Sequence, residues 1–113
     1  MSPITSHVLD LARGRPAAKL PLRLDVLDAQ GGWSTLAERA TDEDGRVSDL
    51  LPPGELPRGT YRISFDTQNY LEATGQPVFY PWVEIIFRIE QPAEHYHIPL
   101  LLSPYGYSTY RGS

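Results

Sequence analysis

The chain contains no cysteine, so disulfide bonds and thiol catalysis are excluded. Long apolar runs are missing as well. The apolar runs of this chain are as short as Leu100–Leu102, whereas a membrane-spanning helix needs about 20 apolar residues. There is no excess of basic residues, because the formal net charge is -4, and a nucleic-acid partner is not expected. The first residues lack the basic segment and apolar run of a signal peptide. We therefore expect a cytoplasmic protein with neither membrane nor nucleic-acid partners.

Glycine and proline, in contrast, are abundant, with 9 and 11 copies among 113 residues. This content favours a turn-rich chain of strands over a helical bundle. Apolar residues make up 41% of the chain, which is ordinary for a protein with a buried core. The length suits a single domain spanning residues 1–113.

Short runs of alternating apolar and polar residues predict an all-β sandwich of seven or eight strands. Turn signals separate the runs, among them Arg13–Pro16 and Asp42–Gly45. One short helix is predicted between a capping Asp66 and a terminating Gly75. The recognisable strands are His7–Asp10, Leu22–Val26, Trp33–Arg39, Tyr61–Phe65, Val83–Ile89, Tyr96–Leu102 and Tyr107–Tyr110.

Three histidines, His7, His95 and His97, are candidates for proton transfer because imidazole titrates near neutral pH. A single histidine is more often structural than catalytic. In a strand, His95 and His97 share one face and could form part of a metal site. A third ligand is needed, and Glu90 and Glu94 are weak candidates. We expect no metal site.

The chain ends in Tyr110-Arg111-Gly112-Ser113, where small polar filler is more usual. Tyrosine and arginine supply aromatic area, hydrogen-bond donors and a fixed charge, as a binding site requires. A last strand followed by frayed residues is the alternative.

Arg46 also has two possible roles. It is either solvated beside an acidic turn or a clamp for the oxygens of a planar anion.

Two segments carry a family resemblance: HVLDLARGRPA at residues 7–17 and LLSPYGYSTYRGS at residues 101–113. Together they resemble the 5-hydroxyisourate hydrolases of the transthyretin-like family, and the similarity extends from Ile4 to Ser113. The resemblance implies a two-sheet β-sandwich of about eight strands with one short helix. It implies hydrolysis of 5-hydroxyisourate in urate degradation without a cofactor. It also implies a homotetramer with active sites at the interface between dimers.

The same resemblance assigns roles to individual residues. His97 would act as the general base on water, and His7 would orient the water or shuttle the proton. Arg46, in the DGR motif, would hold the substrate, and the last four residues would line the pocket. His95 would be structural. The implied catalytic residues are His7, Arg46, His97 and Ser113, and the implied substrate-binding residues are His7, Arg46, Tyr110 and Arg111.

Two other functions are weighed against the hydrolase. A transthyretin-type carrier of a small hydrophobic ligand shares the fold, but such carriers lack the histidine and arginine set and the YRGS end. A structural or interaction sandwich is favoured only if the polar residues fail to converge in space.

Overall fold

Strands dominate the computed structural model, which describes residues 1–113 and contains one short helix, α1 (Thr67–Ala73). This confirms the predicted all-β sandwich. With seven residues, α1 is too short to span a membrane. The strands are β1 (Ile4–Asp10), β2 (Arg15–Pro16), β3 (Pro21–Leu27), β4 (Trp33–Ala40), β5 (Arg46–Val47), β6 (Gly59–Phe65), β7 (Val83–Ile89), β8 (Tyr96–Ser103) and β9 (Gly106–Thr109).

Two of these strands, β2 and β5, were not predicted. The prediction of a turn over Arg13–Pro16 is wrong for its last two residues, which pair with Leu9 and Asp10. Strand β5 pairs antiparallel with β1 and places Arg46 directly opposite His7. A strand of two residues has no alternation to detect, so hydrophobic periodicity cannot reveal it.

The first sheet is built around β1. Strands β2 and β5 lie along one edge of β1, and β8 pairs with the other edge in a parallel orientation, with β9 beyond it. The second sheet has the order β4-β3-β6-β7 and is antiparallel throughout. The parallel pair sets Thr5 opposite His97 and His7 opposite Pro99. The two ends of the chain therefore share one sheet.

A core of 20 buried apolar residues lies between the sheets. Val8 and Leu100 contribute to it from the first sheet, and Leu24 and Ile63 from the second. Because side chains alternate along a strand, the residues between these point away from the core. The outer face of the first sheet is thereby left to side chains that the core does not use.

Helix α1 lies between the two predicted boundary residues, Asp66 and Gly75. The Asp66 carboxylate accepts a hydrogen bond from the Asn69 N–H at 3.1 Å, as an N-cap should. Gly75 has a φ of 70°, in the left-handed region that favours glycine after a helix. Tyr70 and Leu71 are buried against the sandwich.

Asp10 ties this helix to β1. Its side chain is buried and accepts hydrogen bonds from the Tyr70 hydroxyl (2.6 Å), the Gln76 amide (2.9 Å) and the Arg13 backbone N–H (3.0 Å). Burial alone would raise the pKa of Asp10, but these hydrogen bonds and the Arg13 charge outweigh it and leave the pKa below its usual value. The ionised carboxylate is thus the form that the fold favours.

Asp10→Asn should lower the free energy of unfolding at pH 7 by about 2 kcal/mol, the scale of hydrogen bonds to a charged group. Because the folded-state pKa is depressed, this stabilisation is complete above the unfolded pKa of about 3.9 and is lost as the pH falls through the folded value. Urea unfolding of both proteins from pH 7 to pH 3 measures the difference. Glu55→Gln, at an exposed carboxylate, is the control. A difference that stays constant over this range would contradict the role of the charge.

Candidate functional site

A cluster of polar side chains occupies the outer face of the first sheet. Thr5 and His7 project from β1, Arg46 from β5 and His97 from β8, and Gly112 of the C-terminal segment lies beside His97. We call this surface the histidine face. It forms because Thr5, His7 and His97 alternate with core residues on two paired strands.

His97 is fixed through one ring nitrogen. Its Nδ1 lies 2.8 Å from the Thr5 hydroxyl oxygen, whereas its Nε2 has no hydrogen-bond partner within the chain. Burial lowers the pKa of His97, and the positive charge of Arg46 and the proximity of His7 and His95 lower it further. The imidazole is therefore neutral at pH 7 and is able to accept a proton.

The Thr5 hydroxyl bridges two imidazoles, since it also lies 3.0 Å from Nε2 of His95. The rings of His95 and His97 are 6.4 Å apart and nearly parallel. Sequence reasoning missed Thr5. The one signal was that Thr5 and His7 share a face of β1, but the pairing of β1 with β8 was not predicted.

His7 and Arg46 face each other across β1 and β5. Nε2 of His7 donates to the Asp44 carbonyl oxygen at 2.9 Å, because a carbonyl can only accept. In the neutral form of the ring, this bond leaves Nδ1 of His7 as an acceptor. The Asp42 carboxylate accepts from the Arg46 backbone N–H at 2.9 Å and shapes the turn that presents the arginine.

The C-terminal segment continues the pairing of β9 with β8. The Gly112 N–H donates to the His97 carbonyl oxygen at 2.8 Å, and the two residues form an antiparallel bridge. A Cβ atom at Gly112 would overlap Cδ2 of the His97 ring and lie 3.1 Å from Cγ. Only glycine permits this close approach of the backbone to the imidazole.

The other tail residues do not all reach the histidine face. Tyr110 is exposed, and alternation places it on the same side as Gly112. Ser113 is exposed at the chain end. Arg111 is directed elsewhere: its guanidinium stacks 4.3 Å from the centre of the Tyr96 ring and is 3.0 Å from the Glu94 carboxylate. Tyr96 belongs to the core, so Arg111 lies on the opposite side from His97.

The larger concavities of the chain also lie away from His97. One of about 410 Å³ opens between β7 and the tail, beside Tyr96 and Arg111. Another, of about 700 Å³, lies near Trp82 and Asp66. The histidine face is an open surface in a single chain, so a closed pocket can form there only if a second protein chain covers it.

Comparison with known proteins gives a consistent result. The profile of the HIUase/Transthyretin family matches residues 4–112. A mouse protein named 5-hydroxyisourate hydrolase is 49% identical, covering 99% of this chain and 96% of its own. A Caulobacter vibrioides protein of the same name is 45% identical over the full length of both chains. The structure of sea bream transthyretin in complex with thyroxine superimposes with a TM-score of 0.92 at 34% identity, covering 98% of this chain and 95% of its own. The chain belongs to the HIUase/Transthyretin family.

Proposed function

We propose that this protein hydrolyses 5-hydroxyisourate, opening its six-membered ring to give 2-oxo-4-hydroxy-4-carboxy-5-ureidoimidazoline in urate degradation. The observation that carries the proposal is the convergence of His7, Arg46 and His97 on one face, with a neutral His97 whose Nε2 is free. The names of the mouse and Caulobacter relatives support the same activity.

In the proposed mechanism, Nε2 of His97 takes a proton from water as the water attacks the ring carbonyl carbon next to a nitrogen. Nδ1 of His7 is free to accept a hydrogen bond and orients that water. The negative charge that develops on the carbonyl oxygen is stabilised by the Arg46 guanidinium. The carbon–nitrogen bond then breaks, and His97 returns its proton to the departing nitrogen. Every proton is accounted for by the side chains and water.

Substrate binding is proposed to use the planar fork of Arg46 and the aromatic ring of Tyr110. Ser113 adds a hydroxyl and the terminal carboxylate at the rim. In the single chain, the salt bridge to Glu94 and the stacking on Tyr96 engage Arg111 in holding the tail. We therefore assign direct substrate contact to the residues on the histidine face and an anchoring role to Arg111.

We further propose a homotetramer in which the histidine faces of two dimers meet. Strands β7 and β9 each pair on one side only, so their outer edges are available to a second copy. A surface as open as the histidine face becomes an enclosed site when another copy covers it. This arrangement would exclude bulk water from a planar, polar substrate.

The carrier alternative rests on the fold it shares with sea bream transthyretin, whose structure contains thyroxine. Fold likeness alone cannot separate the two functions. The chemistry of the histidine face separates the two functions. An apolar ligand there would desolvate Arg46, His7 and His97 without providing hydrogen bonds. The polar face favours a polar substrate.

His97→Ala should reduce the rate of 5-hydroxyisourate hydrolysis by about 10²–10⁴-fold, the usual contribution of a general base. The variant should keep its fold, because His97 projects from the outer face and not into the core. The rate is measured from the ultraviolet decay of the substrate, with light scattering and thermal unfolding as controls. A loss of only about twofold, far below that range, would reject the role of His97.

Arg46→Gln should raise the pKa of His97, because the charge of Arg46 helps to depress it. As the pKa rises, a smaller fraction of His97 is neutral near pH 6–7, and the acidic limb of the kcat/KM profile moves to higher pH. NMR titration of the His97 ring measures the midpoint directly. Arg39→Gln is the matched control, since it removes an exposed arginine from β4 of the second sheet, away from His97. Equal midpoints in wild type and Arg46→Gln would contradict the assigned geometry.

Gly112→Ala should lower kcat by about 10²-fold, the effect of a displacement near 1 Å of a catalytic group. The added Cβ would overlap the His97 ring and force the imidazole to move. Gly106→Ala is the control: its Cβ would meet Ser103 Oγ at an ordinary 3.7 Å. Both variants should unfold at the wild-type temperature. Unchanged kcat in Gly112→Ala would show that the C-terminal segment moves to make room for the Cβ atom and does not hold the His97 ring in place.

A further inference from the structure

The Thr5 hydroxyl has one proton but contacts two imidazole nitrogens. Oγ1 lies 2.8 Å from Nδ1 of His97 and 3.0 Å from Nε2 of His95. A hydroxyl can donate one hydrogen bond and accept two. Thr5 is 8% exposed, and its hydroxyl has no third hydrogen-bond partner in the chain. The proton must therefore go to one of the two histidines if it is to be bonded.

Only two arrangements of neutral histidines satisfy both contacts and bond the hydroxyl proton. In the first, Nδ1–H of His97 donates to Thr5, and Thr5 donates to Nε2 of His95. Nε2 of His97 then carries a lone pair. In the second, Nε2–H of His95 donates to Thr5, and Thr5 donates to Nδ1 of His97. Nε2 of His97 then carries the proton. The tautomers of the two histidines are thus coupled through one hydroxyl.

We propose that Thr5 is a positioning residue that holds His97 in the tautomer with a free lone pair on Nε2, and that His95 fixes this direction by accepting the Thr5 proton. The proposal rests on the proposed role of His97 as general base. When Nε2 takes a proton from water, Nδ1–H is already bonded to Thr5. The imidazolium therefore forms without any change in its hydrogen bonds.

The surroundings of the ring support this role. Thr5 is opposite His97 in the parallel register, so backbone pairing fixes the distance between them. Threonine is β-branched and has restricted χ1 freedom, which holds the hydroxyl in place. The same ring leaves no room for a Cβ atom at Gly112, which would overlap Cδ2 and crowd Cγ. The imidazole is thus confined by Thr5 and the tail, with Nε2 remaining free.

The experiment uses the full-length protein and four variants. Thr5→Val removes the hydroxyl at nearly constant shape, and Thr5→Ser keeps the hydroxyl. His95→Ala removes the acceptor and frees the Thr5 proton to turn toward Nδ1 of His97. Thr109→Val is the matched control, because its hydroxyl bonds the Pro99 carbonyl oxygen and touches neither histidine. Thermal unfolding and light scattering confirm that each variant keeps the wild-type fold and assembly.

Two readouts separate this proposal from the proposed function. The ¹⁵N chemical shifts of the histidine rings in ligand-free protein report the tautomers and do not require hydrolase activity. In wild type, Nδ1 of His97 should be protonated and Nε2 should not. Thr5→Val and His95→Ala should both move His97 toward the Nε2–H form. In the assay, Thr5→Val should lower kcat by about 10- to 100-fold, as loss of a partner that orients a functional histidine does, with KM nearly unchanged.

Thr5→Ser keeps the hydroxyl but lacks the β-branch, so its ring shifts and kcat should lie much closer to wild type than those of Thr5→Val. Thr109→Val should change neither. Wild-type ring shifts in Thr5→Val would overturn the coupling even if the protein proves to be an active hydrolase. Altered shifts with wild-type kcat would overturn the positioning role. A serine variant as slow as the valine variant would show that the loss came from packing. An inactive wild-type protein with the expected shifts would reject the hydrolase function and leave the coupling standing.

Discussion

The parallel pairing of β1 with β8 is the constraint on which the site depends. Its seven residue pairs, from Ile4↔Tyr96 to Asp10↔Leu102, join segments near opposite ends of the chain. Parallel strands need a long crossover connection, and here all four strands of the second sheet lie between the two partners in the chain. The core side chains of both strands hold the register, because a slip of one residue would turn every side chain to the other face. Thr5 opposite His97 is a consequence of that register.

The electrostatics of the histidine face follow from the same pairing. The face gathers Arg46, His7 and His97, with His95 nearby, and partial burial together with the neighbouring charges keeps His97 neutral. A base that is unprotonated at neutral pH, beside a fixed cation that can stabilise a developing oxyanion, suits hydrolysis of a cyclic amide. The fold shared with sea bream transthyretin supplies the surface. The residues on that surface determine which chemistry it supports.

Much of the fold could be predicted from alternation alone, because strands such as Val83–Ile89 bury one face. The strands β2 and β5 cannot be predicted in this way, because a strand of two residues shows no periodicity. The convergence of His7, Arg46 and His97 was expected only from the family resemblance, since sheet pairing between distant segments leaves no local signal. The orientation of Arg111 could be predicted from the sequence. In an extended tail, alternation places its side chain on the side opposite to Tyr110. The bridging position of Thr5 required the register.

The most direct test of the hydrolase function is the decay of 5-hydroxyisourate itself. Urate oxidase produces the compound in situ, and its ultraviolet absorbance is followed after addition of increasing amounts of the purified protein. If the protein is the hydrolase, the decay rate rises in proportion to protein concentration and the ring-opened product accumulates. A decay rate equal to that in buffer, with folded protein present at every concentration, would contradict this function.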